Sequence, residues 1–201
     1  MFLARRPSRQ AIERFITDSR GLPLSYDQAG LAQGSPADYD VDQTLVTIGH
    51  GEAAFERAKA ALAAWKHFDF NWVEVSPPAA SIEPGSVVAV LVRHLGFWSL
   101  SGCRILHVLG DRTRGPTFGF AYGTLVNHVE QGEEIFDVSL RSDTREVVYR
   151  IRAASRPRAV LARLGYPIAR VLQARFRRDS GEAMRRAVYG LLEESTNPIE
   201  R

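Results

Sequence analysis

The sequence predicts an α+β domain in which a curved antiparallel sheet of about six to seven strands wraps around a long C-terminal helix. Three observations predict this fold. Strand-like segments separated by turn signals follow one another from residue 70 to residue 153. After residue 157 the apolar side chains recur at helical spacing along one face. Such a sheet must have one face covered, and the C-terminal helix is the one predicted element that is large enough.

The N-terminal part of the chain predicts two helices and one strand. Residues 8–18 have apolar side chains at helical spacing, which indicates a short amphipathic helix. Residues 21–40 are rich in Gly, Pro, Asp and Ser and are predicted to be loop. Residues 41–48 predict the first strand, and the Gly49-His50-Gly51 turn leads from it into a predicted helix over residues 52–67.

Six further segments are typical of strands, because they are short, rich in β-branched or aromatic residues, and bounded by Pro, Gly, Asp or Ser. The predicted strands are residues 70–75, 87–93, 98–109, 117–125, 134–140 and 146–153.

The C-terminal region predicts a long helix opened by Pro157, with Ser155 as its cap, because proline suits the first helical turn. Gly165 and Pro167 predict a kink rather than a break. A second helical stretch is predicted over residues 182–193, and the end of the chain is expected to fray. The apolar stripe consists of residues 160, 161, 164, 168, 171, 172 and 176.

Composition and charge narrow the class of protein. The chain of 201 residues is 45% hydrophobic, which suffices for one sizeable core. No apolar run reaches roughly 18 residues and the N-terminus lacks the pattern of a secretory signal, so a cytoplasmic location is expected. The single cysteine, Cys103, cannot form an internal disulfide.

Positive charge is concentrated near the C-terminus. The net charge of the chain is +3, but residues 150–186 contain eleven Arg against Asp179 and Glu182. This segment could contact anionic lipid or nucleic acid. A solvated helix face is the more common explanation of such a run.

The densest set of side chains able to do chemistry together lies between residues 118 and 136. His128 follows a predicted strand and has carboxylates close behind it, so it is a candidate acid–base residue. Glu134 is predicted to share a strand face with Phe136 and to meet a cavity, whereas Glu130 and Glu133 are expected at a solvated hairpin tip. A buried turn histidine bonded to the backbone is the alternative for His128.

Two hydroxyl side chains of the same region are candidate ligand contacts. Tyr122 and Thr124 share a strand face, and their hydroxyls could hold a polar ligand atom in an apolar cavity. A buried tyrosine bonded to the backbone is the alternative for Tyr122. Arg156 could bind an anionic ligand group or pair with a surface carboxylate.

Metal, nucleotide and cofactor sites are not predicted. Cys103 and His107 are four residues apart, which in a strand leaves them distant on one face, and no metal-binding motif is present. The Gly49-His50-Gly51 turn lacks the remaining residues of a phosphate-binding loop. We therefore expect no metal ion and no cofactor.

Several short motifs occur together in a fixed order. They are Leu24-Ser25-Tyr26, Gly49 and Gly51, Phe55, Arg57 and Ala58, Trp65 and Trp72, Tyr122-Gly123-Thr124-Leu125, His128, Gly132-Glu133-Glu134, Phe136, and Ser155-Arg156-Pro157. In these motifs the chain resembles, over roughly residues 22–185, the family called domain of unknown function 1990. Asn127 and Val129 stand where the family pattern has Gly and Pro around the histidine.

The resemblance implies a helix-grip ligand-binding domain, as in START-like and birch-pollen-allergen-like proteins. From the order of predicted elements, residues 1–40 are predicted to form an N-terminal extension, residues 41–194 the ligand-binding domain, and residues 195–201 a flexible tail. The predicted catalytic residues are His128, Glu134 and Tyr122, and the predicted ligand-binding residues are Tyr122, Thr124, Phe136, Trp98, Arg156 and Tyr26.

Three functions remain open from the sequence. The first is binding of a small apolar or amphipathic molecule between the sheet and the C-terminal helix. The second is a cyclase- or hydratase-like enzyme that uses acid–base residues in the same cavity. The third is an adaptor that contacts an anionic membrane or nucleic acid through its Arg-rich helix. A homodimer is possible in each case.

Overall fold

The computed structural model describes residues 1–94, 96–110, 116–157 and 166–195, and every structural statement below refers to these residues. They form eight strands and three α-helices, with short 3-10 turns at Leu31–Gln33 and Lys66–Phe68. The strands are β1 (Phe2–Leu3), β2 (Asp40–His50), β3 (Val73–Ser76), β4 (Val87–His94), β5 (Phe97–Leu109), β6 (Thr117–Thr124), β7 (Glu130–Leu140) and β8 (Glu146–Pro157). The helices are α1 (Arg9–Ser19), α2 (Gly51–Ala63) and α3 (Tyr166–Ser195).

Seven of the described strands form one curved antiparallel sheet in the order β2-β8-β7-β6-β5-β4-β3. The short strand β1 pairs antiparallel with β5 outside this path, with Phe2 opposite Ser99. Helix α3 packs against the concave inner face. The predicted α+β architecture, with six to seven strands wrapped around a C-terminal helix, is confirmed.

Alternation along the strands separates an inner and an outer layer. On β7 the residues Phe136, Val138 and Leu140 point inward, where they are fully or almost fully buried with α2 and α3. The intervening Ile135 points outward and packs with residues of the N-terminal segment. Successive side chains of a strand point to opposite faces, so one strand supplies both layers.

The outer face of the sheet is covered by the N-terminal part of the chain. Ile12 and Ile16 of α1 pack on Leu91 and Leu100 of β4 and β5. Helix α1 begins where the Ser8 hydroxyl accepts the backbone N–H of Ala11 at 3.2 Å, which is an N-cap bond. Residues 21–39 then cross the outer face of the strands that follow, so they are a packed strap rather than a free loop.

The C-terminal half of α3 is fixed firmly to the inner face. The hydroxyls of Ser180 and Tyr149 are 2.9 Å apart, and both residues are fully buried. Gly181 lies against Val46, where an added Cβ would come within 2.9 Å of a methyl carbon. The indole N–H of Trp72 donates to the Asp179 carboxylate at 2.8 Å. These contacts fix the helix at one end of the sheet.

Several predictions near the C-terminus are wrong. Pro157 does not open a helix but ends β8, where it lies opposite Glu130. Ser155 is therefore a strand residue and not a helix cap. The strand continues this far because the backbone of β7 begins at Glu130 and supplies a partner, and a proline is tolerated at a strand end.

Helix α3 also differs from its prediction in detail. It is continuous through residues 182–193, so no separate second helix exists there. Pro167 lies in its first turn, where a proline is favourable. Val171, assigned to the apolar stripe, is 68% exposed. The predicted stripe positions 160, 161 and 164, the Gly165 kink and the tail beyond residue 195 lie outside the described residues.

None of the described helices has the length and apolar character that spanning a membrane requires.

His67 is buried at the centre of the aromatic core. Its ring stacks on Trp65 at a centroid distance of 5.5 Å and contacts Phe68 and Phe136 at 4.6 and 4.7 Å. Neither ring nitrogen has a hydrogen-bond partner among the described residues. Burial in this apolar environment lowers the pKa of His67 to about 3, so the ring is neutral in the folded protein.

We predict that His67 makes the protein sensitive to mild acid. An unfolded histidine has a pKa near 6.5, so between that value and about 3 the unfolded chain binds one more proton than the folded chain. Stability is therefore lost as the pH falls, by about 1.4 kcal/mol per pH unit. Between about pH 7 and pH 5, urea unfolding should show a loss about 2 kcal/mol smaller for His67→Leu than for the unmodified chain.

The exposed His50 provides the control, because His50→Leu removes an imidazole that is not buried in the core. If His67→Leu and the unmodified chain lost the same free energy over this pH interval, the buried neutral histidine would be refuted.

Candidate functional site

A cavity of about 830 Å³ lies between the inner face of the sheet and the N-terminal half of α3. Small-molecule pockets in proteins commonly have volumes of roughly 300–1,000 Å³. Most of the wall is apolar, and its larger apolar side chains come from β1, the segment before β3, β3, β4 and α3. They include Phe2, Phe68, Trp72, Val73, Val90, Val92, Leu172 and Phe176.

Small side chains leave this space open. Ser99 and Ser101 of β5 and Ala153 of β8 line the cavity at positions where a larger inward side chain would fill it. Ala169 does the same on α3. Further along α3, larger residues such as Met184 and Val188 close the core. The cavity is therefore a consequence of residue size along the inner face and the helix.

A tyrosine and a carboxyl group are bonded to each other at the polar end of the cavity. Tyr122 of β6 lies directly opposite Glu134 of β7, and its hydroxyl donates to Glu134 Oε2 at 2.7 Å. Burial raises the pKa of Glu134 to about 7, while the Tyr122 hydrogen bond and the charge of Arg177 oppose the increase. Glu134 can therefore gain or lose a proton near neutral pH.

A second carboxylate lies on the same face of β7. The side-chain amide of Gln173 donates to both oxygens of Glu130, at 3.2 and 3.1 Å, and lies 3.2 Å from the Ser155 hydroxyl. Burial raises the pKa of Glu130, and the Gln173 bond opposes it. This contact ties helix α3 to strands β7 and β8 at the cavity.

His128 is held by the turn that precedes β7. Its Nδ1 accepts the backbone N–H of Glu130 at 2.9 Å, and its own backbone N–H donates to the Leu125 carbonyl at 2.8 Å. His128 is one of the residues that line the cavity, and the bond to Glu130 fixes the orientation of its ring.

An arginine pair shares one aspartate where α3 meets β2. Arg170 donates to both oxygens of Asp42, at 2.9 Å through Nη2 and at a shorter distance through Nη1. Arg177 lies 3.4 Å from Asp42 Oδ2 and also lines the cavity. The hydrogen bond from Arg170 lowers the pKa of Asp42, so this carboxylate is charged.

The outer face carries a separate polar network. Glu133 borders the cavity, but its carboxylate, with the residue 3% exposed, accepts three hydrogen bonds from the strap on the outer face. The donors are the Tyr26 hydroxyl at 2.9 Å and the backbone N–H groups of Gly30 and Ala32 at 2.8 and 3.2 Å. Gly123 makes room for Tyr26, since an added Cβ would lie 2.1 Å from the tyrosine oxygen.

Thr124 links the strap, the cavity and strand β7. Its hydroxyl accepts the backbone N–H of Gly132 at 2.9 Å and lies 2.6 Å from the Ser25 hydroxyl. Gly132 has φ +155°, and an added Cβ would lie 2.0 Å from the Ala154 carbonyl oxygen. Only glycine fits at this position.

The structure brings four of the predicted site residues together at the cavity. The residues His128, Glu134, Tyr122 and Thr124 all line it. Phe136 is fully buried beneath them in the aromatic core, where its ring contacts Tyr122 at 5.4 Å, and it is not among the lining residues.

The other three predicted ligand-binding residues point to the outer face. Tyr26 binds Glu133, and Trp98 packs with Leu100 and α1. Arg156 donates to Gln131 at 3.1 Å and lies 4.6 Å above the Tyr39 ring. None of the three lines the cavity. The side to which each residue points depends on strand register and on the path of the strap.

The sequence interpretation of two glutamates is wrong. Glu130 and Glu133 were expected at a solvated hairpin tip, but β7 begins at Glu130, so both belong to the strand. Glu130 then shares the inner face with Glu134, and Glu133 becomes buried on the outer face. Period-two alternation places both residues correctly once β7 is known to begin at Glu130, but Gly132 is typical of a turn and hides this start in the sequence.

Three further cavity residues were not predicted as functional. Ala169, Gln173 and Arg177 follow one another at four-residue intervals on α3, so the three share one helical face. This spacing was available in the sequence. Asp42, the partner of Arg177, was not identifiable because the β2–α3 contact is a tertiary feature.

The structure gives no chemical role to Cys103 or to the Gly49-His50-Gly51 segment. Cys103 is fully buried on the inner face, and burial raises the pKa of its thiol. Within the described ranges no three His, Cys, Asp or Glu side chains are grouped so that they could hold a metal ion. Gly49 and His50 end β2 and Gly51, with φ +78°, begins α2, so the strand passes directly into the helix.

The described arginines of α3 bind groups of their own chain. Arg175 and Arg178 pair with Asp179, at 3.4 and 2.8 Å. Arg185 and Arg186 donate to the carbonyl oxygens of Thr47 and Asp69, respectively. This positive surface is therefore partly neutralised within the molecule.

Comparison with known proteins gives a family match. The model of a family described as domain of unknown function (DUF1990) matches residues 25–183. A UPF0548 protein from Dictyostelium discoideum is 36% identical over 207 residues, which cover 94% of this chain and 96% of that protein. A UPF0548 protein from Arabidopsis thaliana is 35% identical over 162 residues, which cover 78% of each. The predicted resemblance to this family is confirmed.

Solved structures give weaker likenesses. Human STARD10 aligns with a TM-score of 0.48 at 12% identity, covering 96% of this chain and 84% of that one.

We predict that Glu134 titrates near neutral pH and that Tyr122 lowers its pKa. Infrared difference spectra should show a carboxyl group that loses its proton at about pH 7 and is missing in Glu134→Gln. In Tyr122→Phe the pKa should be higher, because the carboxylate loses a hydrogen bond that stabilises its charge. Since the folded chain keeps this proton above the ordinary value of 4.5, the carboxyl's contribution to stability should decline as the pH rises from 4.5 to about 7.

Glu182→Gln, which removes an exposed carboxyl group of α3, is the control for the spectra. A Tyr122→Phe variant in which the carboxyl titrated at lower pH would contradict the assignment.

Proposed function

The chain belongs to the DUF1990 family, and we propose that it binds a small apolar or amphipathic molecule in the cavity between the sheet and helix α3. The observation that carries the proposal is the cavity of about 830 Å³, with its apolar walls and one polar end. Protein interiors are otherwise close-packed, with few voids larger than a water molecule. A space of this size that also gathers polar groups is the usual form of a ligand site.

The two parts of the cavity would have different roles. Transfer of a ligand CH₂ group from water to the apolar walls contributes about 0.8 kcal/mol, so an alkyl chain or ring system supplies most of the affinity. Tyr122, Glu134, Glu130 and Arg177 line the cavity close to one another and would fix the direction in which the ligand enters. A molecule with one apolar part and one compact polar group would fit the apolar walls and the polar residues of the cavity together.

A second function is favoured by one observation, the bonded pair of Tyr122 and Glu134. A carboxyl group that titrates near neutral pH can serve as general acid or general base, and the tyrosine hydroxyl can donate to a developing oxyanion. A cyclase- or hydratase-like reaction on the bound molecule would use this pair, with His128 nearby. No comparable observation favours an adaptor function for the Arg-rich helix.

Filling the cavity should abolish binding. Ala169→Trp places an indole in the space next to α3, so we expect the fluorescence increase of Nile red, a neutral apolar dye, to fall at least about tenfold at a given protein concentration. Ala174→Trp adds the same side chain to an exposed position of the same helix and should leave dye binding unchanged. Equal dye binding by both variants would contradict the proposed site.

The enzymatic alternative is tested with a metabolite extract. Incubating the extract with the unmodified chain and with Glu134→Gln should reveal, by mass spectrometry, compounds that only the unmodified chain consumes. If the two proteins gave identical extracts while both bound Nile red, the binding function would stand and the enzymatic one would be rejected.

A further inference from the structure

We propose that the ligand is an amphipathic carboxylate and that Arg177 binds its carboxylate group inside the cavity. This inference rests on the proposed binding function and specifies the chemical class of the ligand. Its basis is an arginine that lines an apolar cavity with fewer partners than its charge and its donors require.

Arg177 is the least satisfied charged group at the site. Its side chain is only 16% exposed. Among the described residues its one ionic partner is Asp42, at 3.4 Å, and no hydrogen bond from its guanidinium is formed. A guanidinium has five N–H donors, and burying a charge with few bonds is unfavourable unless a partner is supplied.

Asp42 binds the two arginines unequally. Both of its oxygens already accept hydrogen bonds from Arg170, so Arg177 is left with a longer contact to Oδ2. The three side chains together carry a net charge of +1 at this point of the wall. A carboxylate placed in the cavity would supply the missing acceptor in the two-oxygen geometry that a guanidinium prefers.

The neighbouring glutamates do not prevent Arg177 from binding a ligand carboxylate. Both oxygens of Glu130 already accept from Gln173, and Glu134 accepts from Tyr122. Burial raises the pKa of both carboxyl groups, to about 7 for Glu134, so Glu134 is only partly charged at neutral pH and repels an incoming anion less. A protonated Glu134 can also donate a hydrogen bond to a ligand oxygen. The apolar walls beyond Leu172 and Phe176 would then hold the hydrocarbon part.

Three ligands with the same alkyl chain separate the head groups: dodecanoate, dodecanol and dodecylamine. In isothermal titration calorimetry at neutral pH, we expect the unmodified chain to bind dodecanoate at least about tenfold more tightly than dodecanol, because charge-assisted hydrogen bonds are the stronger ones. Dodecylamine should bind more weakly than dodecanol, since the amine would meet the Arg177 charge.

Substitutions test whether the preference for dodecanoate over dodecanol depends on Arg177. In Arg177→Met the affinity for dodecanoate should fall to that for dodecanol, while dodecanol binding changes less than about twofold. Arg177→Lys, which keeps the charge, should retain part of the preference. The neighbouring Arg178, which is 66% exposed and pairs with Asp179, gives the matched control, and Arg178→Met should leave both affinities unchanged.

A second variant tests the same idea in the opposite direction. Asp42→Asn removes the internal competitor, so dodecanoate should bind more tightly than to the unmodified chain. Thermal unfolding of each variant verifies that it is folded before its affinities are compared.

The outcomes distinguish the two proposals. A carboxylate preference that survives in Arg177→Met, or dodecanol and dodecanoate binding equally to the unmodified chain, would overturn the assignment of Arg177 and leave the proposed function intact. Binding of none of the three ligands to the folded chain would overturn both.

Discussion

The alternation of strand β7 at Gly132, Glu133 and Glu134 is the constraint on which the arrangement of the molecule depends. Adjacent side chains of a strand point to opposite faces, so two neighbouring glutamates serve different layers. Glu133 accepts three hydrogen bonds that hold the N-terminal strap to the outer face, and Glu134 enters the cavity to meet Tyr122. A register shift of one residue would bury each carboxyl among the wrong partners.

Strand β6, which pairs with β7, carries the residues that complement the two glutamates. Tyr122 lies opposite Glu134, and Gly123 lies opposite Glu133 and leaves room for the Tyr26 hydroxyl. Thr124 accepts from the backbone of Gly132. The motifs that carry the family resemblance in β6 and β7 are thus one cross-strand unit, which joins the strap on one side of the sheet to the cavity on the other. Helix α3 completes the site because its C-terminal half is buried around Ser180 and Met184, whereas its N-terminal half lines the cavity.

The order of elements and most of the strands could be predicted from the sequence, because hydrophobic periodicity directly reports secondary structure. The start of β7 and the end of β8 could not, since Gly132 and Pro157 are typical of turns and only strand pairing makes them part of a sheet. Tyr122 and Glu134 were identifiable because each lies two residues from an inward-pointing residue of its own strand, Phe120 and Phe136 respectively. The outward positions of Trp98 and Arg156 depend on register, and the role of Arg177 depends on a contact with Asp42 that links distant parts of the chain.

The central claim is that the space beneath the N-terminal half of α3 receives a ligand, and intermolecular nuclear Overhauser effects test it most directly. With methyl-labelled protein saturated with dodecanol, the account predicts cross-peaks from the alkyl chain to Val90, Val92 and Leu172, which line the cavity from the sheet and the helix. Cross-peaks confined to exposed methyl groups such as those of Leu45 and Val108, or none at saturating ligand, would contradict it.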